Sequence, residues 1–159
     1  LDGDLIGTNL SRSQKAPVLK EGLTGLDQSL LPPNYERGDC GYYARFEEAM
    51  SGHIPAEKLD RYFEAQSLTD DVMAYAMIED AKSPLKFLIA GHFHTDHASG
   101  VVARLKARSS ACARIATVRI EDASQYSAAE WAEVIKPNGT YGCDADYLYF
   151  LGKPTMATK

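Results

Sequence analysis

Three histidines and one aspartate stand within six residues of one another, in the segment GHFHTDH. They are His92, His94, Asp96 and His97. Imidazole nitrogens and carboxylate oxygens are ligands that suit zinc and similar divalent metals. A water bound to such a metal would act as a nucleophile at neutral pH. One candidate function is therefore a metal-dependent hydrolase, with these four residues as ligands of zinc or another divalent metal.

The sequence around this cluster indicates how it would be held. An apolar run at 87–90 ends at a glycine, and apolar residues at helical spacing follow from Gly100. This order predicts a β-loop-α unit. Ligands of open α/β sheets bind beyond the carboxyl ends of the strands, so the cluster lies where binding is expected. Another strand is predicted to end near Asn9, so Asn9 and Arg12 are expected in the loop that follows it, at the same edge.

The other elements alternate between strand and helix. Strands are predicted over 113–120 and 147–150, where apolar and aromatic residues recur. Ser127 opens a helix with capping-box spacing. An earlier helix is expected to be capped by Ser13, with Pro17 in its first turn. Such alternation predicts an α/β fold, with a mostly parallel sheet flanked by helices.

One predicted helical segment is longer than a connection between two parallel strands requires. Residues 56–82 carry an apolar helical stripe without glycine or proline, and a shorter helix is predicted over 42–50. We therefore expect residues 1–159 to form a single α/β domain, with 41–82 as a small helical insertion subdomain.

Composition narrows the class of protein. The chain has 159 residues, 45% of them hydrophobic, and a formal net charge of -5. These values are ordinary for a globular domain, and the acidic balance argues against nucleic acid as a partner. Cys40, Cys112 and Cys143 show no CxxC spacing and are expected to be small buried residues.

The histidine cluster by itself resembles the HxHxDH signature of the metallo-β-lactamase superfamily. That superfamily requires a further ligand histidine well downstream. The chain has no histidine after His97, so the resemblance covers only about twenty residues and implies an incomplete site.

A second resemblance extends over nearly the whole chain. Four stretches, in their order and spacing, resemble the C-terminal part of the ChaN-like haem-uptake lipoproteins, which belong to a wider superfamily with the TIKI and TraB proteins. The stretches are LIGTNLSR at 5–12 with EGL at 21–23, YFEAQSLTDDVMA at 62–74, GHFHTDHASGVVARL at 91–105, and DYL at 146–148. On this resemblance the Gly91-x-x-His94 sequence corresponds to the superfamily's second GxxH motif.

The resemblance implies haem as the ligand, held between subunits by tyrosine ligation with histidine contacts to the propionates. Tyrosine is a chemically reasonable ligand of haem iron, and cationic side chains suit propionates. The candidate iron ligands are Tyr42, Tyr43 and Tyr62. The candidate contacting residues are His53, His94, Asn9 and Arg12.

The same resemblance implies a setting for the protein. It predicts a homodimer and an exported protein of the bacterial periplasm or outer membrane. Some relatives in the wider superfamily are metalloproteases, which keeps the hydrolase alternative open. The family's N-terminal half has no counterpart in this sequence, so we expect a missing N-terminal half as a partner. The sheet would then present an uncovered edge.

Overall fold

A computed structural model describes residues 4–79, 84–109 and 113–152. Its helices are α1 (Arg12–Glu21), α2 (Cys40–Met50), α3 (Ala56–Glu79), α4 (Gly100–Arg108) and α5 (Ala128–Val134). Its strands are β1 (Val118–Asp122) and β2 (Tyr147–Leu151). Short 3-10 turns occupy Gly22–Gly25, Gln28–Leu30, His92–His94 and Asp96–Ala98.

Side-chain caps decide where two of these helices begin. Ser11 caps α1 by accepting a hydrogen bond from the Gln14 amide, so the prediction of Ser13 as the cap is wrong. Pro17 consequently lies inside the helix, beyond its first turn. At α5 the predicted capping box is confirmed, because the Ser127 hydroxyl accepts from the Glu130 amide while the Glu130 carboxylate accepts from the Ser127 amide.

Helix α3 is the centre of the hydrophobic packing. Val18 of α1 packs beside Leu68 of α3, and Phe46 of α2 packs beside Phe63 of α3. A third cluster joins Met73 of α3 to α4. The prediction of a long helix is confirmed from Ala56 to Glu79, and residues 80–82 lie outside the described ranges. The insertion boundary at 41–82 stays a prediction.

The sheet is much smaller than expected. Strands β1 and β2 pair in parallel, from Val118 opposite Tyr147 to Asp122 opposite Leu151. They form the whole sheet among the described residues, so the prediction of a mostly parallel sheet is overstated. A mixed α/β fold in which helix predominates is what the structure shows.

Two predicted strands are absent from the described structure for a physical reason. Residues 4–9 and 87–90 form no ladder. Phe87 and Ile89 are 82% and 97% exposed, while Leu88 packs against the cluster of α3 and α4. The side chains therefore alternate as in a half-buried strand, but within the described ranges no main chain pairs with them.

Three further observations complete the fold. Cys40 and Cys143 are exposed free thiols, so the expectation of buried cysteines is wrong for both, and Cys112 lies outside the described residues. Trp131 of α5 packs on Phe150 of β2, with ring centroids 4.2 Å apart. Among the described helices, none has the length and apolar character to cross a membrane.

Candidate functional site

Two neighbouring aspartates of α3 are completely removed from solvent. Asp70 and Asp71 are both fully buried, and α4 presents Arg104 and Arg108 to them. Arg108 donates to both oxygens of Asp71, at 3.0 Å and 2.6 Å. Burial nevertheless raises the pKa of the Asp71 carboxyl, and the cation of Arg108 opposes that shift. The two arginines are four residues apart, which places them on one face of α4.

The two carboxylate oxygens of Asp70 have different partners, and Oδ2 is the oxygen that contacts Tyr42. The Tyr42 hydroxyl donates to Asp70 Oδ2 at 2.7 Å and accepts from the Gln66 amide at 2.9 Å. Burial and then the negative charge of Asp70 raise the pKa of the Tyr42 phenol far above its ordinary value. Tyr42 is therefore held as a neutral hydrogen-bond donor inside the protein.

The second oxygen of Asp70 contacts His94. His94 Nδ1 lies 2.5 Å from Asp70 Oδ1 and 3.0 Å from Gln66 Nε2. Because Gln66 and Asp70 are four residues apart on α3, both reach the same point beside the helix. The His94 side chain keeps 22% of its surface exposed, whereas the Asp70 side chain has none. His94 thus connects a buried carboxylate to the protein surface.

His94 Nδ1 faces two groups with opposite hydrogen-bonding character. A carboxylate oxygen such as Asp70 Oδ1 accepts a hydrogen bond, whereas the Gln66 amide nitrogen donates one. The contact with Asp70 matches a proton on Nδ1, and the contact with Gln66 matches an Nδ1 that carries none. Histidines that bind metals commonly donate their second N–H to a carboxylate, which corresponds to the first of these contacts.

Arg45 of α2 fixes the turn that carries His94. Its guanidinium is buried and stacks over the Phe93 ring, 4.5 Å from the centroid. It also donates to the Phe93 carbonyl at 3.2 Å and to the Ser99 hydroxyl at 2.6 Å. A buried cation is thereby satisfied by the turn, and the turn is tied at two points to α2.

The main chain of this turn is unusually constrained. His97, Ala98 and Gly100 all have positive φ, at 57°, 55° and 54°. A Cβ atom at Gly100 would overlap the carbonyl oxygen of His94 and lie 3.0 Å from its carbonyl carbon. Only glycine fits this position without movement of His94, and the left-handed conformations at the other two residues store strain.

The remaining members of the histidine cluster have separate partners. His92 Nδ1 lies 2.6 Å from Asp96 Oδ2, and His97 Nε2 lies 3.4 Å from Asp144 Oδ1. His94 contacts Asp70 instead. Within residues 4–79, 84–109 and 113–152, no group of three or more His, Cys, Asp or Glu side chains is arranged to hold a metal ion. The structure therefore does not support the predicted alternative site for zinc or another divalent metal.

The other predicted contacts share no hydrogen bond with this network among the described residues. Asn9 is exposed and accepts a hydrogen bond from Lys15 at 3.3 Å, and Arg12 is exposed at the start of α1. His53 is exposed in the turn between α2 and α3, where its amide donates to the Met50 carbonyl. No hydrogen bond in the described residues joins Asn9 to the His94 turn.

The three candidate tyrosines have different surroundings. Tyr42 is buried and bound to Asp70. Tyr43 is half-buried, and its ring meets Phe63 edge to face at 4.9 Å. Tyr62 is the most open of the three, with 38% of its surface exposed on α3. The donor set of tyrosine oxygen and histidine nitrogen fits the ligand chemistry of haem iron.

The residues missed at the sequence level are Gln66, Asp70 and Arg45. The first two stand in the 62–74 segment, and their separation by four residues places them on one helix face. Acidic residues on a helix usually face solvent, so nothing marked Asp70 as buried. Arg45 carries no comparable sequence signal.

Comparison with known families places this site in context. The fold is a helix-rich α/β structure, and its site contains a buried tyrosine and a histidine that share one carboxylate. Residues 2–105 match the family described as "Haem-binding uptake, Tiki superfamily, ChaN", and the chain belongs to that family. No curated protein and no solved structure matches the chain.

Proposed function

We propose that this protein binds haem during haem uptake, with the iron held by a tyrosine side chain of the helical region. Membership of the ChaN family is the observation that carries this proposal. Bound haem would be cargo, so the protein is required to hold the iron and the propionates rather than to catalyse a reaction.

Tyr62 is the tyrosine that we favour as the iron ligand. A ligand oxygen must reach the porphyrin and give up its proton, and both requirements favour an exposed phenol. Tyr42 fits them poorly, because its hydroxyl is buried and donates to Asp70. Tyr43 is half-buried against Phe63, which leaves Tyr62 as the most accessible candidate.

The position of Tyr62 on α3 supports this choice. Tyr62 and Gln66 are four residues apart, so they lie on the same helix face one turn from each other. Gln66 contacts the His94 ring. A porphyrin on this face would therefore meet Tyr62 and His94 together. His53 stands in the turn that precedes α3 and remains a candidate for a propionate contact, together with Asn9 and Arg12.

The surroundings of the protein follow from the same proposal. We infer a homodimer with haem at its interface, in an exported lipoprotein of the bacterial periplasm or outer membrane. The exposed apolar residues of the sheet support an additional covering polypeptide, such as the family's N-terminal half. They include Val118, Ile120, Tyr147 and Tyr149.

Haem titration of the purified chain tests the proposal. We expect saturable binding with an absorbance spectrum of the tyrosinate type, and loss of that spectrum in Tyr62→Phe. The matched control is Tyr126→Phe, because Tyr126 lies outside the family match and its hydroxyl already donates to Glu121 at 2.9 Å. Adsorption that never saturates and is insensitive to Tyr62→Phe would refute haem binding through this residue.

A further inference from the structure

The small sheet has one edge that no strand covers among the described residues. Strand β1 pairs with β2 along one of its edges only. A groove with a volume of about 800 Å³, which we call the edge groove, is lined by Val118, Arg119 and Ile120 of β1 and by no residue of β2. The run at 87–90 also lines it, and its main chain forms no ladder within the described ranges. Two open hydrogen-bonding edges therefore border one gap.

The walls of the edge groove are apolar on two sides. Val101 and Val102 of α4 line it and are buried. Leu88 packs against the same helical cluster, whereas Phe87 and Ile89 point toward solvent and are 82% and 97% exposed. A strand placed in this gap would have α4 on one face and these exposed side chains beside its other face. It therefore needs an apolar side chain on each face.

The chain itself contains a segment with these properties. Residues 4–9 form no main-chain hydrogen bond with the rest of the described chain. Leu5 is fully exposed and Ile6 is 51% exposed. Because successive side chains of a strand point to opposite faces, these two neighbours would offer one apolar side chain to each face.

We propose that residues 4–8 of a second copy of this chain insert as a β-strand into the edge groove, between the run at 87–90 and the free edge of β1. Addition of a strand to an open sheet edge is a recurring mode of polypeptide recognition, in which main-chain hydrogen bonds supply affinity and side-chain pockets supply specificity. The inference goes beyond the proposed function, because the association does not require haem.

Charge favours a second copy as the occupant. Among the described residues, the side chains that line the edge groove include four lysines or arginines and one acidic residue, Asp96. The four are Lys86, Arg108, Arg114 and Arg119. Arg114 has no ion-pair partner within the described ranges. Residues 1–11 carry Asp2 and Asp4 and no lysine or arginine, so this end of the chain complements the groove in sign.

The donated segment can move without loss of packing. Leu5 makes no contact that shields it from solvent, whereas Leu10 packs against the cluster of α1 and α3. The segment is thus anchored just after its free part. Exchange of an identical element between copies is a low-cost route to dimers, because no new fold is required.

Sedimentation equilibrium of the chain without haem tests the association. We expect self-association that depends on concentration, and we expect Ile6→Ser to raise the dissociation constant about tenfold or more because an apolar side chain is no longer buried. The matched control is Ile135→Ser, since Ile135 is 50% exposed and stands outside the groove. A chain that stays monomeric at every concentration, or equal effects of the two substitutions, would overturn the proposal.

Disulfide trapping tests whether the inserted segment is a strand. In a background with Cys40, Cys112 and Cys143 replaced by serine, one copy carries Ile89→Cys, and a second, nitrogen-15-labelled copy carries one cysteine within 4–8. The labelled series is Asp4→Cys, Leu5→Cys, Ile6→Cys, Gly7→Cys and Thr8→Cys. We expect mixed-mass disulfides at alternate positions only, because every second side chain shares the face of Ile89.

The pattern of cross-links decides the outcome. Equal cross-linking at all five positions would show unspecific adhesion, and no cross-linking would show an empty groove; either result overturns the proposal. Loss of the cross-links on saturation with haem would assign the groove to the porphyrin and overturn it as well. Failure of the chain to bind haem would refute the proposed function and leave the strand exchange intact.

Discussion

Replacement of Gly100 by alanine would test how tightly the His94 turn is constrained. The new Cβ would overlap the His94 carbonyl oxygen, and the residue would also have to keep a φ of 54°. The left-handed conformation costs an L-residue about 1–2 kcal/mol. Relief of the overlap requires the turn to shift, and overpacking of this kind costs about 1–3 kcal/mol more. We therefore expect the variant to lose about 2–5 kcal/mol of unfolding free energy.

Gly52 supplies the matched control for this substitution. Its φ is 77°, yet a Cβ atom there would have no neighbour within 4 Å. Gly52→Ala therefore carries the conformational cost of about 1–2 kcal/mol without the overlap. The difference between the two variants isolates the contact between Gly100 and His94.

Urea unfolding is the appropriate measurement, with the midpoints compared at constant slope. Haem titration of the same proteins would show whether displacement of His94 also weakens binding, as it should in Gly100→Ala alone. Equal loss of stability in Gly100→Ala and Gly52→Ala would refute the reasoning, because it would mean that the turn moves away from the new methyl group at no cost.

Three further predictions concern buried polar groups and a cap. Tyr42→Phe should cost about 1–3 kcal/mol at neutral pH, because Asp70 loses a buried donor. Because burial raises the pKa of Tyr42, the unmodified protein should lose unfolding free energy as the pH rises above about 10. If urea unfolding of Tyr42→Phe showed the same alkaline loss, Tyr42 would not be its cause. Arg108→Ala should cost about 1.5–3 kcal/mol at pH 7, because buried Asp71 loses both hydrogen bonds from Arg108 and keeps the longer contact with Arg104 at 3.8 Å, against less than about 1 kcal/mol for the exposed pair in Arg61→Ala. Since the pKa of Asp71 is raised, the Arg108→Ala loss should shrink toward pH 4, and a pH-independent loss would show that the charge is not its cause. Ser127→Ala should cost about 1 kcal/mol in thermal unfolding, and no change would mean that its capping box does not hold α5.

Local sequence signals predicted the helices better than the strands. The Ser127 cap and the apolar stripe that begins at Ala56 each depend on residues that are close together in the sequence. They correctly predict α5 and α3, respectively. The run around Phe87 has the right alternation for a strand, but a strand requires hydrogen bonds from another segment. No pattern within the run specifies that partner.

The residues of the candidate site were likewise only partly predictable from the sequence. Gly91-x-x-His94 was recognisable by its resemblance to the GxxH motif of the superfamily, and the structure brings His94 to a polar network. The spacing of His92 and His97 suggested shared ligation, whereas the backbone turn directs them to different carboxylates. The importance of Asp70 depends on its burial between α2 and α4, which no local pattern reveals.

The ion pairs between α3 and α4 also specify how the two helices align. A slide of α4 by one turn would move its side chains about 5.4 Å along the axis of α3. Because Arg104 and Arg108 are themselves about one turn apart, one arginine would then stand where the other had been and the other would leave the pair of aspartates, with both carboxylates still inside the protein. Apolar contacts such as that between Val101 and Met73 tolerate exchange of one apolar neighbour for another far better. Loss of one buried partner is expensive, so the buried charges favour the register in which both arginines face the two aspartates.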